Sequence, residues 1–234
     1  MILTPSNTWK TTYPQAHLGA LAMHGVTNPR HHAELEQRKR ALEAELQTRF
    51  ADQTKANGST ELAKVLAALP VMRAYRAYYK RFRKTYHVLL QLRSVAQGKS
   101  LPSVAALVEA MFMAEVKNGL LTAGHDLDHT PAPIALDVAR GDERYVMLNG
   151  REQTLKPGDM IMSDAQGVIC SVIYGLDRRT AIRPKTRRVL FVVYAPAGIG
   201  AQAVYEHLEE IRDNVLLVAP GAAVEELHVY GALP

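Results

Sequence analysis

The run His125-Asp126-Leu127-Asp128-His129 gathers two imidazoles and two carboxylates behind Gly124. A hydrolytic metal centre uses such ligands, but it needs three of them converging with one position left open. Adjacent residues in a turn point apart, so the simpler reading is that the aspartates cap neighbouring backbone amides or line a pocket, with no metal and no other cofactor. His125 is then the group in this run that could orient a water. Cys170, the single cysteine, falls within an apolar strand pattern. Burial there disfavours its thiolate, and a structural role is expected. The chain carries no GxxxxGK[ST] loop, no GxGxxG behind a strand and no GxSxG elbow, so the common nucleotide-binding and serine-hydrolase readings lose their main support.

Charge is the second chemical signal. Between Glu61 and Glu109 there is no acidic residue, yet nine cations fall there, among them Arg73, Arg76, Lys80, Arg83 and Lys84. A second group, Arg178, Arg179, Arg183, Lys185, Arg187 and Arg188, has only Asp177 beside it. Setting aside those nine and six cations from 28, and one acid from 23, leaves 13 cations against 22 acids elsewhere. The net charge of +5 thus hides two basic patches on an acidic remainder. Segregation of this kind suits a surface that holds phosphates and displaces their counterions; solvated helix and strand faces are the alternative. At about 100° per residue, the cations of 73–84 occupy one helix side and Tyr75, Tyr79, Phe82 and Tyr86 another. Those aromatics either pack into the core or stack on unpaired bases.

The elements that must position these groups change period along the chain. A strand with glycine breakers is expected within 9–29, then one helix over 31–55 stopped by Asn57-Gly58. Further helices are predicted from Ser59, over 71–84 and 86–96, and from Ser103 to Asn118-Gly119. Short segments rich in Val, Ile and Tyr follow at 134–140, 144–148, 160–162, 168–174 and 188–194, separated by turn residues. A helix from Ala201 and a strand over 225–230 complete the order. Helices first and strands second predict an α+β domain, with a helical N-terminal layer packed on a mostly antiparallel sheet. Residues 1–60 read as an N-terminal strand and helix extending the same domain, and 61–234 as its body. The Glu/Arg-rich helix of the extension either packs on that body or mediates homodimerisation.

With 234 residues, 47% of them hydrophobic and 22% charged, a sizeable core needs no staples. Disordered, collagen-like and disulfide-scaffold classes are excluded. No apolar run approaches the roughly 20 residues a spanning helix requires. The opening residues lack the pattern of a secretory signal. A soluble cytoplasmic protein that does not enter membranes is expected.

Several steps occur in an order that resembles the B3/B4 domain of the phenylalanyl-tRNA synthetase β subunit and its stand-alone relatives. They are Leu101-Pro102, then Ala106-Leu107-Val108-Glu109, and the turn Ala123-Gly124-His125-Asp126-Leu127-Asp128. Pro157-Gly158-Asp159, Asp164-Ala165-Gln166-Gly167-Val168 and the stretch Thr180 to Thr186 complete the series. The likeness covers roughly residues 70 to 195. It implies an α+β domain of the kind that, in the synthetase, hydrolyses tyrosine wrongly attached to the phenylalanine tRNA. The editing pocket implied by the resemblance uses an Asn, a His and a Glu. Their places are taken here by Phe112, by Ala123 (with His125 where an aromatic stood) and by Arg179, three departures from an intact editing centre.

The leading expectation is therefore a tRNA-synthetase-like domain that binds tRNA or another RNA through Arg73, Arg76, Lys80 and Arg83, helped by Arg178, Arg179 and Arg183. A second is deacylation in trans of a mischarged aminoacyl-tRNA, the aminoacyl end resting among Phe112, Ala123, Gly124, His125, Asp126 and Thr180. A third is a pocket for a small molecule or protein, without RNA. The first two share a geometric requirement: both cationic groups border one concavity.

Overall fold

The computed structural model describes residues 1–55 and 59–231; the helix stop expected at Asn57-Gly58 lies outside the described residues. The chain opens with β1 (Leu3–Pro5), α1 (Asn7–Thr12) and β2 (His17–His24). Ser6 starts α1 by accepting a hydrogen bond from the Trp9 backbone N–H at 3.0 Å. The helix expected over 31–55 is two, α2 (Ala33–Arg49) and α3 (Ala51–Lys55), interrupted at Phe50. Then come α4 (Ser59–Ala68), α5 (Pro70–Arg81), α6 (His87–Ala96) and α7 (Ala106–Asn118). Pro70 occupies the first turn of α5, where its missing N–H costs nothing. Gly119, at φ +69°, closes α7 in the left-handed conformation that glycine adopts without strain.

After α7 the strands are β3 (Thr122–Asp126), β4 (Ile134–Val138), β5 (Arg144–Val146), β6 (Glu152–Thr154), β7 (Met160–Asp164), β8 (Gly167–Ser171), β9 (Gly175–Leu176) and β10 (Arg188–Ala195). The long helix α8 (Ala201–Val218) and β11 (Ala223–Gly231) finish the chain. Two sheets carry the fold, in the orders β1-β4-β7-β8-β9 and β11-β2-β10-β3, with β5 and β6 a separate pair. All pairings are antiparallel except β1 with β4, so the α+β class with a mostly antiparallel sheet holds. The N-terminal β2 is an inner strand, flanked by β10 and β11. Helix α2 packs on the body through buried Leu35, Leu42 and Leu46.

The aromatic stripe of α5 is core, and the base-stacking alternative is overturned. Tyr75, Tyr79, Phe82 and Tyr86 are buried, while Arg73, Arg76, Lys80, Arg83 and Lys84 are exposed. A buried phenol needs a hydrogen-bond partner, and each finds one on a different part of the body. Tyr75 Oη donates to the Tyr194 carbonyl at 2.7 Å, Tyr79 Oη to the Val172 carbonyl at 2.7 Å, and Tyr86 Oη to the Gly119 carbonyl at 2.9 Å. Tyr75 and Tyr79 thereby tie helix α5 to β10 and to the end of β8, and Tyr86 ties the head of α6 to the end of α7.

His125 and Asp126 belong to a strand rather than to the expected turn. Strand β3 is buried along its whole length and paired to β10. The capping role holds for Asp126, whose Oδ1 accepts from the Asp128 backbone N–H at 3.1 Å at the head of a short 3-10 turn, Leu127–His129. Its Oδ2 accepts from Thr186 Oγ1 at 2.7 Å. Among the described residues, no helix is long and apolar enough to cross a membrane, and no group of three or more His, Cys, Asp and Glu side chains could hold a metal ion.

Candidate functional site

On α7, Val108, Met111, Phe112 and Glu115 recur at the spacing of one helical stripe. That stripe forms one wall of a cavity of about 390 Å3. The opposite walls are Leu121, Thr122, Ala123 and Gly124 of and before β3, Cys170 to Val172 at the end of β8, and Tyr194 of β10. Gly175, Leu176, Ala181 and Ile182 close a further side, and His87 stands at the head of α6. Part of the space exists because Gly124 has no side chain: a Cβ there would lie 2.7 Å from Ile182 Cδ1 and 3.4 Å from Met111 Sδ. The volume lies toward the small end of ligand pockets, about 300–1,000 Å3, and the mostly apolar lining with a few polar groups is typical of them.

Within this lining the polar groups differ in state. Burial lifts the Glu115 carboxyl to a pKa of about 8, against the Thr122 backbone N–H that donates to its Oε1 at 3.0 Å. The acid is therefore largely protonated at neutral pH, and among the described residues no lysine, arginine or histidine lies within ion-pair distance of it. Tyr194 is buried and its hydroxyl has no hydrogen-bond partner. Burial pushes the Cys170 thiol up to about 12, which removes its nucleophilic form and agrees with the structural role read from sequence. The His87 ring is exposed, yet its partly desolvated position lowers its pKa.

The segment 175–183 separates this cavity from a second hollow of about 670 Å3, lined by Arg144, Arg178, Arg179, Arg183, Gln166 and Asp177 among others. Asp177 holds the segment. Its Oδ1 accepts from the Thr180 backbone N–H at 3.0 Å and from Thr180 Oγ1, and its Oδ2 accepts from the Arg179 backbone N–H at 3.2 Å. Because the Thr180 proton goes to Asp177, the 2.8 Å contact between Thr180 Oγ1 and His125 Nδ1 requires that His125 Nδ1 be the donor. His125 Nε2 is then an acceptor with no partner. Burial, opposed by Asp164 and aided by Arg179, drops the His125 pKa to about 3.

The residues singled out in the sequence separate accordingly. Phe112, Ala123 and Gly124 line the cavity. His125 and Thr180 are fully buried and Asp126 is nearly so; none of the three lines it. In this conformation His125 fixes the 175–183 segment and has no open face for a water. Arg179 lies in the neighbouring hollow, its guanidinium held by both oxygens of Asp164 at 2.6 and 2.9 Å and by the His129 carbonyl at 3.0 Å. Arg178 and Arg183 line the same hollow and are exposed. Arg83 lines a third hollow with Arg81 and Lys156, and Arg73, Arg76 and Lys80 line none of the three. The two cationic groups therefore do not share one concavity as expected; only the 178–183 group adjoins the cavity. Glu115, His87 and Tyr194 were missed. For Glu115 there was a signal, an acid on an otherwise apolar helical stripe.

Residues 73–209 match the family model of the B3/4 domain, more than half of the chain. The chain belongs to the B3/4 domain family. The domain is similar to the phenylalanine–tRNA ligase beta subunit of Mycoplasma pneumoniae, 30% identical over 96 residues, covering 41% of this chain and 12% of that protein. It is also similar to the same subunit of Mycoplasma genitalium, 32% identical over 69 residues, 30% of this chain and 9% of that one. This B3/4 chain thus aligns with about a tenth of the length of these relatives. An N-terminal fragment of the phenylalanyl-tRNA synthetase β subunit from Pyrococcus horikoshii superimposes with a TM-score of 0.48 and 12% identity, covering 95% of this chain and 49% of that one. Through its family match and the two ligase relatives, the chain is similar to part of a tRNA-synthetase subunit.

Proposed function

We propose that this domain binds the acceptor end of a tRNA, holding backbone phosphates on Arg144, Arg178 and Arg183 and the aminoacyl group in the cavity lined by Phe112 and Ala123. One observation carries the reading: the same segment, 175–183, walls the apolar cavity with Gly175, Leu176, Ala181 and Ile182 and presents Arg178 and Arg183 on its other side. A phosphate chain ending in a small, mostly apolar group matches that pairing. The exposed cations of α5, Arg73, Arg76 and Lys80, together with Arg83, extend phosphate contact away from the cavity. These contacts supply affinity and orientation without base readout.

Titration of labelled tRNA against salt tests this. With about seven phosphates neutralised, one by each cation named, log affinity is expected to fall with log salt at a slope of about −5 to −6. The double variant Arg178→Ala/Arg183→Ala is expected to reduce the slope by about two. A flat salt response in the wild type would remove RNA from the account.

Hydrolysis of a mischarged aminoacyl-tRNA is a second reading, favoured by His87, an imidazole that lines the cavity and whose pKa desolvation lowers. A neutral imidazole at such a place can act as a general base toward an attacking water. A panel of misacylated tRNAs separates the readings, since a binding module accelerates the loss of none of them.

A further inference from the structure

Of the hollows and buried polar groups, the inner lining of the cavity combines an uncompensated acid with an unpartnered donor. Glu115 uses Oε1 to accept from Thr122 and, among the described residues, has no ion-pair partner. Its neighbours on the stripe, Val108, Met111 and Phe112, are apolar. Tyr194, on the same lining, has a buried hydroxyl with no nitrogen or oxygen partner and the Cys170 thiol as its one polar neighbour among the described residues. The other candidates are better satisfied. In the hollow of about 410 Å3 beside α8, His207 has Asn118 on Nδ1 at 3.1 Å and Thr122 on Nε2 at 2.8 Å, so no open valence faces a ligand. Arg179 in the arginine hollow is already saturated by Asp164.

A buried carboxyl facing a small apolar space is costly as an anion until a cation enters with it. We propose that the cavity takes a protonated amine carried on a small apolar body, with Glu115 as the group that pairs the ammonium. The lining contains no lysine or arginine. A free amino acid would bring in a carboxylate that finds no counter-charge, whereas an amino-acid ester brings only the ammonium and the apolar side chain. The shared chemistry is thus an ammonium on an apolar body, from an esterified amino acid or from a plain amine. The ester source rests on the acceptor-end reading above; the ammonium site does not. Neither Glu115 nor the Tyr194 hydroxyl hydrogen-bonds to Asp177, Thr180 or His125, so their substitution leaves intact the hydrogen bonds that hold the arginine-bearing segment.

Four matched probes decide it: phenylalanine methyl ester, phenethylamine, 2-phenylethanol and phenylalanine, titrated calorimetrically into the intact chain at neutral pH. The ester and the amine are expected to bind on the order of tenfold or more tighter than the alcohol, because a charge-assisted hydrogen bond replaces a neutral one. Phenylalanine is expected to bind more weakly than its ester by a similar factor. Glu115→Gln keeps the acceptor for Thr122 and should bring the amine down to the level of the alcohol. Tyr194→Phe, which keeps the ring, should weaken the amine by a smaller factor. An alcohol that binds as well as the amine, or an amine unaffected by Glu115→Gln, overturns the proposal. Amine binding without ester binding supports the ammonium site but contradicts an aminoacyl group as its occupant. Loss of all probe binding alongside an intact salt slope for tRNA overturns the ammonium site and leaves the arginine surface standing.

Discussion

Replacing Lys39 by Ala is expected to destabilise the protein by about 3–5 kcal/mol, the usual consequence of stranding one member of a buried ion pair. Lys39 on α2 donates from Nζ to Glu109 Oε2 at 2.7 Å and to Ser103 Oγ at 2.9 Å, and both side chains of the pair are at most 7% exposed. Glu109 Oε1 meanwhile accepts from the Val104 backbone N–H at 2.8 Å. Removing the lysine leaves a carboxylate at the start of α7 with an unneutralised charge in a dry place. Replacing both residues, as in Lys39→Met/Glu109→Leu, is expected to restore most of the loss, since two apolar side chains leave no charge behind. Chemical denaturation of the singles and the double measures it; singles within about 1 kcal/mol of wild type would show that water reaches the pair. The pair joins the N-terminal helix to α7, and β2 lies between β10 and β11. We accordingly propose that residues 1–60 extend the same folding unit, and a chain beginning at residue 61 is expected not to fold.

Stability is expected to be level between about pH 4.5 and 6, to peak near pH 6.5 and to fall on both sides of that range. Four buried groups set this. Glu115 is raised from 4.5 to about 8 and Asp159 from 3.8 to about 6, both chiefly by burial. His125 and His207 are lowered from 6.5 to about 3, again chiefly by burial. A raised carboxyl means the folded state holds a proton that the unfolded chain has released, so stability drops as pH climbs from the unfolded value to the folded one. A lowered imidazole means the unfolded chain takes up a proton first, so stability drops as pH descends below 6.5 toward 3. Between 4.5 and 6 the two carboxyls and the two imidazoles offset, and from 6 to 6.5 the imidazoles outweigh Glu115, the one acid still in play. From pH 6.5 to 8 Glu115 acts alone, and at 1.36 kcal/mol per unit the loss is about 2 kcal/mol. Glu115→Gln should flatten that alkaline limb while leaving the acid limb intact. A wild-type curve already flat from pH 6.5 to 8 would mean that Glu115 is ionised in the folded protein.

Much of the architecture could be read from residue patterns because local and global preferences agreed. Within α5 the division into a cationic side (Arg73, Arg76, Lys80) and a buried aromatic side (Tyr75, Tyr79) follows from helical period, whereas the helix expected to run to residue 84 ends at Arg81, and Phe82 and Tyr86 are buried by the turn that follows. Strands β7, β8 and β10 announce themselves by Val, Ile and Tyr between turn residues. Strand β3 did not, because Gly124, His125 and Asp126 resemble a turn; what makes them a strand is pairing with β10, and what makes the polar ones tolerable inside is Thr180 and Thr186, 55 and 60 residues away. Strands β1 and β6 are three residues each, too short to show a period. The break at Phe50 has no glycine or proline to mark it. At the site, Phe112, Ala123 and Gly124 were legible through the family resemblance, while Glu115 took its meaning only from the space it faces. The spread of cations over separate hollows is tertiary information that charge counting cannot supply.

The central claim is that one segment places phosphates on its arginines while an aminoacyl group enters the cavity behind them. It is tested most directly by the affinity of an acceptor-stem RNA bearing an amide-linked phenylalanine at its 3′ end, compared with the same RNA uncharged. Burying a side chain of that size is worth about 1.5–3 kcal/mol, so the charged RNA should bind roughly ten- to a hundredfold tighter. Gly124→Leu, which fills the space beside Ile182 and Met111, should erase that difference without weakening the uncharged RNA. Equal affinity of charged and uncharged RNA for the wild-type chain would contradict it.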